Sequence, residues 1–164
     1  TSAARAAPRR RWQAALKHLS AGGAGRGGPA CDGVRKTEAF GMEADLPLLL
    51  LVEDDPLVRL TLTEGLTDAG FEVLEAEDAE SGLALLATRP DISALLTDIN
   101  LPGADGFALA HAARVLRPRL PVIYASGRYR EPQPDRALPD ATFLAKPFSV
   151  ASAAATIEGA IGGE

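Results

Sequence analysis

The chain has 164 residues, 46% of them hydrophobic and 24% charged, with a net charge of −5. That length suits one domain with a tail, and the composition supports a buried core. No stretch approaches the roughly 20 apolar residues of a membrane-spanning helix, and the single Cys31 excludes an internal disulfide framework or a zinc site built from several thiolates.

The charge is unevenly distributed. Residues 1–45 hold eight basic and four acidic residues, net +4, whereas residues 46–164 hold nine basic and eighteen acidic residues, net −9. An acidic body repels a phosphate backbone, so nucleic-acid binding by the main domain is not expected. Seven of the sixteen glycines precede residue 45, which places a domain boundary there: a basic Gly/Ala/Arg-rich tail or linker over 1–45 and a folded domain over 46–164. Within the tail, Trp12, Ala15, Leu16 and Leu19 share one helical face, so a short amphipathic helix is the alternative to a solvated segment. Met42, the only methionine, stands just before the globular pattern. A reducing cytoplasm is the expected location.

In the body, Leu48-Leu49-Leu50-Leu51-Val52 reads as a strand buried on both faces. Asp55-Pro56 supplies an N-cap and a proline at the first helical position; Leu57, Leu60, Leu62 and Leu66 continue a helix that Gly70 ends. A second strand is expected over 71–75. Asp78 caps a second helix with Ala79, Leu83, Leu86 and Ala87 on its apolar face, stopped by Arg89-Pro90. A third strand runs over 92–97. Asp105-Gly106 opens a third helix with Phe107, Leu109, Ala110, Ala113 and Leu116, stopped by Pro118. A fourth strand is expected over 120–125 and a fifth over 141–145, and Ser149 caps a last helix through Ile157 and Ile161. Strands separated by helices imply parallel pairing with right-handed crossovers, an α/β doubly wound five-stranded parallel sheet. The connection between the fourth and fifth strands carries Pro132, Pro134 and Pro139, so its helix is expected to be shortened or irregular.

Ligand sites in such sheets lie at the carboxyl ends of the strands. Here those ends carry Glu53-Asp54-Asp55, Asp98, Ser126 and Lys146-Pro147. Carboxylates converging on one spot repel each other, and a divalent cation with an oxygen shell, Mg²⁺, offsets this. Asp55 suits the N-cap and stays outside the metal set. Gly103 and Gly106 are read as turn residues, and His18 and His111 as solvated surface residues. No Gly-x-Gly-x-x-Gly follows the first strand, which excludes the dinucleotide-binding fingerprint.

Four segments, Leu50–Arg59, Leu96–Gly106, Pro121–Gly127 and Phe143–Phe148, resemble the receiver domain of bacterial two-component response regulators, of the stand-alone or hybrid-kinase type, over about residues 46–162. The resemblance implies a flavodoxin-like receiver fold. It implies that Asp98 accepts a phosphoryl group, that Glu53, Asp54, Asp98 and the backbone carbonyl of Asn100 hold Mg²⁺, and that Glu53, in place of the commoner aspartate, acts through water. Lys146 is expected to pair with Asp98 and then with the phosphoryl group, and Ser126 to hydrogen-bond it. Phe143 stands at the switch aromatic position, the Lys146–Pro147 peptide is expected to be cis, and Asn100 and Arg128 occupy positions that tune hydrolysis.

The resulting expectation is a phosphorelay protein, not an enzyme acting on outside substrates. Its expected donor is a histidine kinase or histidine phosphotransfer protein, and a weak or phosphorylation-dependent dimer is compatible with it. Because the chain stops at Glu164, output is expected through protein contacts, phosphate relay or a phosphate sink, with a non-standard surface at the proline-rich connection. The alternatives are a haloacid-dehalogenase-like phosphatase, whose Asp-x-Asp spacing is missing after the first strand, and a docking module that is never phosphorylated, against which the intact set of Glu53, Asp54, Asp98, Ser126 and Lys146 argues.

Overall fold

The computed structural model describes residues 45–127 and 135–163; the tail and His18 lie outside them, as do Arg128 and most of the proline-rich connection. In chain order the elements are β1 (Leu48–Val52), α1 (Pro56–Asp68), β2 (Glu72–Ala76), α2 (Ala79–Thr88), β3 (Ile92–Asp98), α3 (Gly106–Leu116), β4 (Val122–Ser126), β5 (Thr142–Ala145) and α4 (Val150–Gly162). The five strands form one parallel sheet in the order β2-β1-β3-β4-β5.

Burial follows from this order. β1 is central and all five of its residues are buried, which explains its unbroken apolar run. Leu49 and Leu51 pack with Ala94, Leu96, Ile123 and Leu144 against Leu62 and Leu66 of α1 and Ala153 and Ile157 of α4. The opposite face is covered by α2 and α3, which pack on each other. There Tyr124, fully buried, lies between Phe107 of α3 and Phe143 of β5, with ring centroids 5.0 and 5.1 Å away.

The helix starts form as their capping residues dictate. Asp55 accepts from the N–H groups of Leu57 and Val58 at 2.9 and 3.2 Å, Asp78 from that of Ser81 at 2.8 Å, Asp105 from that of Ala108 at 2.9 Å and Ser149 from that of Ser152 at 3.1 Å.

Several strand limits shift by a residue or two, because turn hydrogen bonds claim the residues before them. The Phe71 N–H closes α1 by donating to the Leu66 carbonyl, Leu120 donates to Arg117, and Ala141 donates to Leu138. The expected apolar face of α1 is only half right. Leu62 and Leu66 are buried, but Leu57 and Leu60 are exposed. At about 100° per residue these two pairs project from opposite sides of the helix. Gly103 does serve a turn, with φ +78°. Gly106 serves a different purpose: a Cβ there would lie 2.2 Å from the Asp98 carbonyl oxygen, so only glycine lets α3 start against the end of β3.

No helix occurs between β4 and β5 among the described residues. Residues 135–141 instead pack on α3. Arg136 pairs with Asp105 and lies over the Phe107 ring, 4.8 Å from its centroid. Its carbonyl is 2.8 Å from His111 Nε2, and Arg114 pairs with Asp140 at 2.5 Å. His111 is therefore exposed but bound to this segment, not merely solvated.

Candidate functional site

Strand polarity brings the charged residues together. β1 delivers Glu53 and Asp54 just past its last residue, and β3 ends on Asp98 beside it. One oxygen from each of these three carboxylates lies within 4.8 Å of the others. Glu53 is buried, Asp98 is 9% exposed and Asp54 faces solvent. The sequence-predicted lysine joins them from the edge strand, its backbone N–H donating to the Ser126 carbonyl at 2.9 Å. Lys146 Nζ donates to Glu53 Oε2 at 2.9 Å and to Asp98 Oδ2 at 3.2 Å. The Lys146–Pro147 peptide is cis.

The lysine was expected to pair with Asp98; its shorter contact is to Glu53, whose added methylene reaches across. Asp98 is held at both oxygens, since Oδ1 accepts from the Asn100 N–H at 3.1 Å. Ser126, at the end of β4, is 1% exposed. It sits one residue beyond Ala125, the register partner of Asp98. Phe143 is half-buried against Tyr124, one strand removed from Asp98.

The electrostatics follow from burial. Burial raises the Glu53 pKa above its ordinary value, with the Lys146 hydrogen bond and charge opposing and the Asp98 charge reinforcing the rise. Burial pulls the Lys146 pKa down, but its bonds to Glu53 and Asp98 outweigh this and hold it raised, so the ammonium stays protonated. One ammonium bonds two of the three clustered carboxylates, and among the described residues Asp54 has no side-chain partner. The set is all hard oxygen donors with a surplus of negative charge, which fits Mg²⁺.

Residues 49–158 match the response regulator receiver domain. The chain belongs to that family. Its relatives include the DNA-binding transcriptional regulator NtrC of Salmonella typhimurium, 35% identical over 117 residues, which covers 70% of this chain but 24% of NtrC. This receiver therefore spans about a quarter of that protein's length. A crystal structure of a receiver protein from Sinorhizobium medicae superposes with a TM-score of 0.68 at 28% identity, covering 72% of this chain and 96% of the other. The receiver domain of the hybrid histidine kinase CckA does so with 0.60 at 31%, covering 70% and 98%. Receivers are signalling modules of two-component systems, and this chain is one of them. No helix among its described residues is long and apolar enough to cross a membrane.

Sequence reasoning passed over one residue at this receiver's site. Arg59 closes the Leu50–Arg59 segment with no local signal of a role, yet its Nη1 donates to the Glu53 carbonyl at 2.7 Å. Only its place one turn into α1, facing back toward the acidic loop, could have signalled this.

Proposed function

We propose that this receiver takes a phosphoryl group onto Asp98 from the phosphohistidine of a histidine kinase or histidine phosphotransfer protein. A carboxylate oxygen of Asp98 attacks phosphorus, the phosphorus–nitrogen bond to the imidazole breaks, and the imidazole leaves with the bonding pair. Glu53, Asp54, Asp98 and the Asn100 carbonyl would hold Mg²⁺, with Glu53, whose oxygens meet the Asp55 N–H and Lys146, acting through water. When bound, the ion supplies positive charge that lets phosphoryl oxygens approach the carboxylates.

The chain's own residues do the rest. The Asn100 N–H and Lys146 orient the Asp98 carboxylate, and the ammonium then moves to a phosphoryl oxygen. Ser126 donates its hydroxyl to another, drawing the end of β4 inward. Phe143, with no hydroxyl, reports the change only by packing on Tyr124. The receiver occupies residues 46–164, with the basic residues 1–45 as a tail or linker preceding it.

The observation that carries this reading is a single lysine bonded to two carboxylates that come from strand ends far apart in sequence, with a third acid beside them. The test is intact mass after incubation with Mg²⁺ and acetyl phosphate. A gain of one phosphoryl group in the parent and none in Asp98→Asn is expected; no gain in the parent, or an equal gain in the variant, refutes it.

A further inference from the structure

We infer that Arg59 is a positioning residue for the acidic pair, gripping the peptide unit that joins Glu53 to Asp54. The inference rests on the proposed Mg²⁺ site. β1 ends at Val52, so the Glu53 carbonyl has no strand partner. Arg59 supplies one: its backbone is fixed in α1 by an N–H bond to the Asp55 carbonyl at 2.9 Å, and its side chain folds back so that Nη1 donates to the Glu53 carbonyl at 2.7 Å. Nε of the same guanidinium is 3.4 Å from Glu75 Oε2 on β2, and the side chain is 17% exposed.

The preceding peptide is anchored to the same strand, since the Glu53 N–H donates to the Ala76 carbonyl at 3.1 Å. Both peptide units flanking Glu53 are thus tied to β2, one directly and one through Arg59. This restraint has work to do, because three mutually repelling carboxylates must be kept within 4.8 Å. Turning the 53–54 peptide would swing Asp54, which no other described side chain holds. A planar guanidinium presents its Nη1 and Nε donors in a fixed fork that spans the carbonyl and the carboxylate, whereas an ammonium has to reach both from a single nitrogen on a flexible stem. The competing view, that Arg59 merely forms a surface ion pair with the exposed Glu75, assigns it little stability and no influence on the metal.

Calorimetric titration of the full chain with MgCl₂ separates the two. Arg59→Ala is expected to weaken Mg²⁺ binding by about 10- to 100-fold, the range seen when groups that orient metal ligands are removed. Arg59→Lys is expected to be intermediate and Glu75→Gln closer to the parent. With acetyl phosphate as donor, the Mg²⁺ concentration for half-maximal phosphorylation should rise in Arg59→Ala while the rate at saturating Mg²⁺ returns to the parent's. That split does not arise from a general loss of structure, which unfolding without Mg²⁺ reads separately. Parent-like Mg²⁺ affinity in Arg59→Ala, or in Arg59→Lys if the alanine variant does not fold, overturns the inference, as does a rate that saturating Mg²⁺ leaves low. A parent that binds no Mg²⁺ fails at the earlier step and removes the metal site itself.

Discussion

Replacing Gly106 by alanine should damage stability and phosphorylation together. A Cβ at this position would lie 2.2 Å from the Asp98 carbonyl oxygen, 2.9 Å from Ile99 Cα and 3.0 Å from the Asp98 carbonyl carbon. All three are main-chain atoms, so no rotamer change relieves the contact. Reaching an ordinary separation of about 3.4 Å requires the start of α3 or the end of β3 to move by roughly 1 Å. The two cannot part freely, because the Gly106 N–H donates to the Ile99 carbonyl at 2.9 Å.

Overpacking of this kind costs about 1–3 kcal/mol, and the gain from alanine in a helix, about 0.5–1 kcal/mol, offsets only part of it. A net loss of about 1–2 kcal/mol is expected in urea unfolding. The same displacement disturbs the 3.1 and 3.2 Å bonds that hold the Asp98 carboxylate. A misplacement of about 1 Å can lower a rate about 100-fold, and acetyl phosphate labelling followed by mass reads it. Gly103→Ala is the control: its φ of +78° strains the backbone by about 1–2 kcal/mol, but nothing lies within 4 Å of the added methyl, so labelling should persist. A Gly106→Ala protein as stable and as readily labelled as the parent would refute the reasoning.

Two further outcomes test the scaffold. Burial pushes the Tyr124 pKa up to about 12, so between pH 10 and 12 the unfolded chain gives up a proton that the folded chain keeps, and stability falls with rising pH by up to about 1.4 kcal/mol per unit. Urea midpoints across that range should fall more steeply for the parent than for Tyr124→Phe; equal slopes would count against the buried phenol. Arg117 donates to the Ile92 carbonyl at 2.9 Å and the Leu86 carbonyl at 3.2 Å, and also to the Arg89 carbonyl, closing the turn between α2 and β3. Arg117→Ala should lose about 2–3 kcal/mol, with Arg117→Lys recovering only part, and an alanine variant within about 0.5 kcal/mol of the parent would show these bonds to be idle.

Much of the fold was legible because its signals are local. The apolar run of β1 and the caps at Asp55, Asp78, Asp105 and Ser149 each act within a few residues. Parallel order then follows from alternation, and the strand ends place Glu53, Asp54, Asp98, Ser126 and Lys146 at one edge. What stayed hidden depends on distant geometry. Glu53 and Lys146 are 93 residues apart, and His111 and Arg136 are 25 apart. The purpose of Gly106 depends on how closely α3 approaches β3, which turn chemistry does not encode. The exposure of Leu57 and Leu60 was missed because a list of leucines at mixed spacing hides two opposing faces.

The lysine contacts have a consequence for biosynthesis. A ribosome releases Asp54 and Asp98 well before Lys146 emerges, and that ammonium takes its place only when the last strand docks at the sheet edge beside β4. An unfinished chain thus carries Asp98, the proposed acceptor, without its counter-charge. Under the proposed function, the ammonium that would meet the phosphoryl group at Asp98 is in place only once folding is complete.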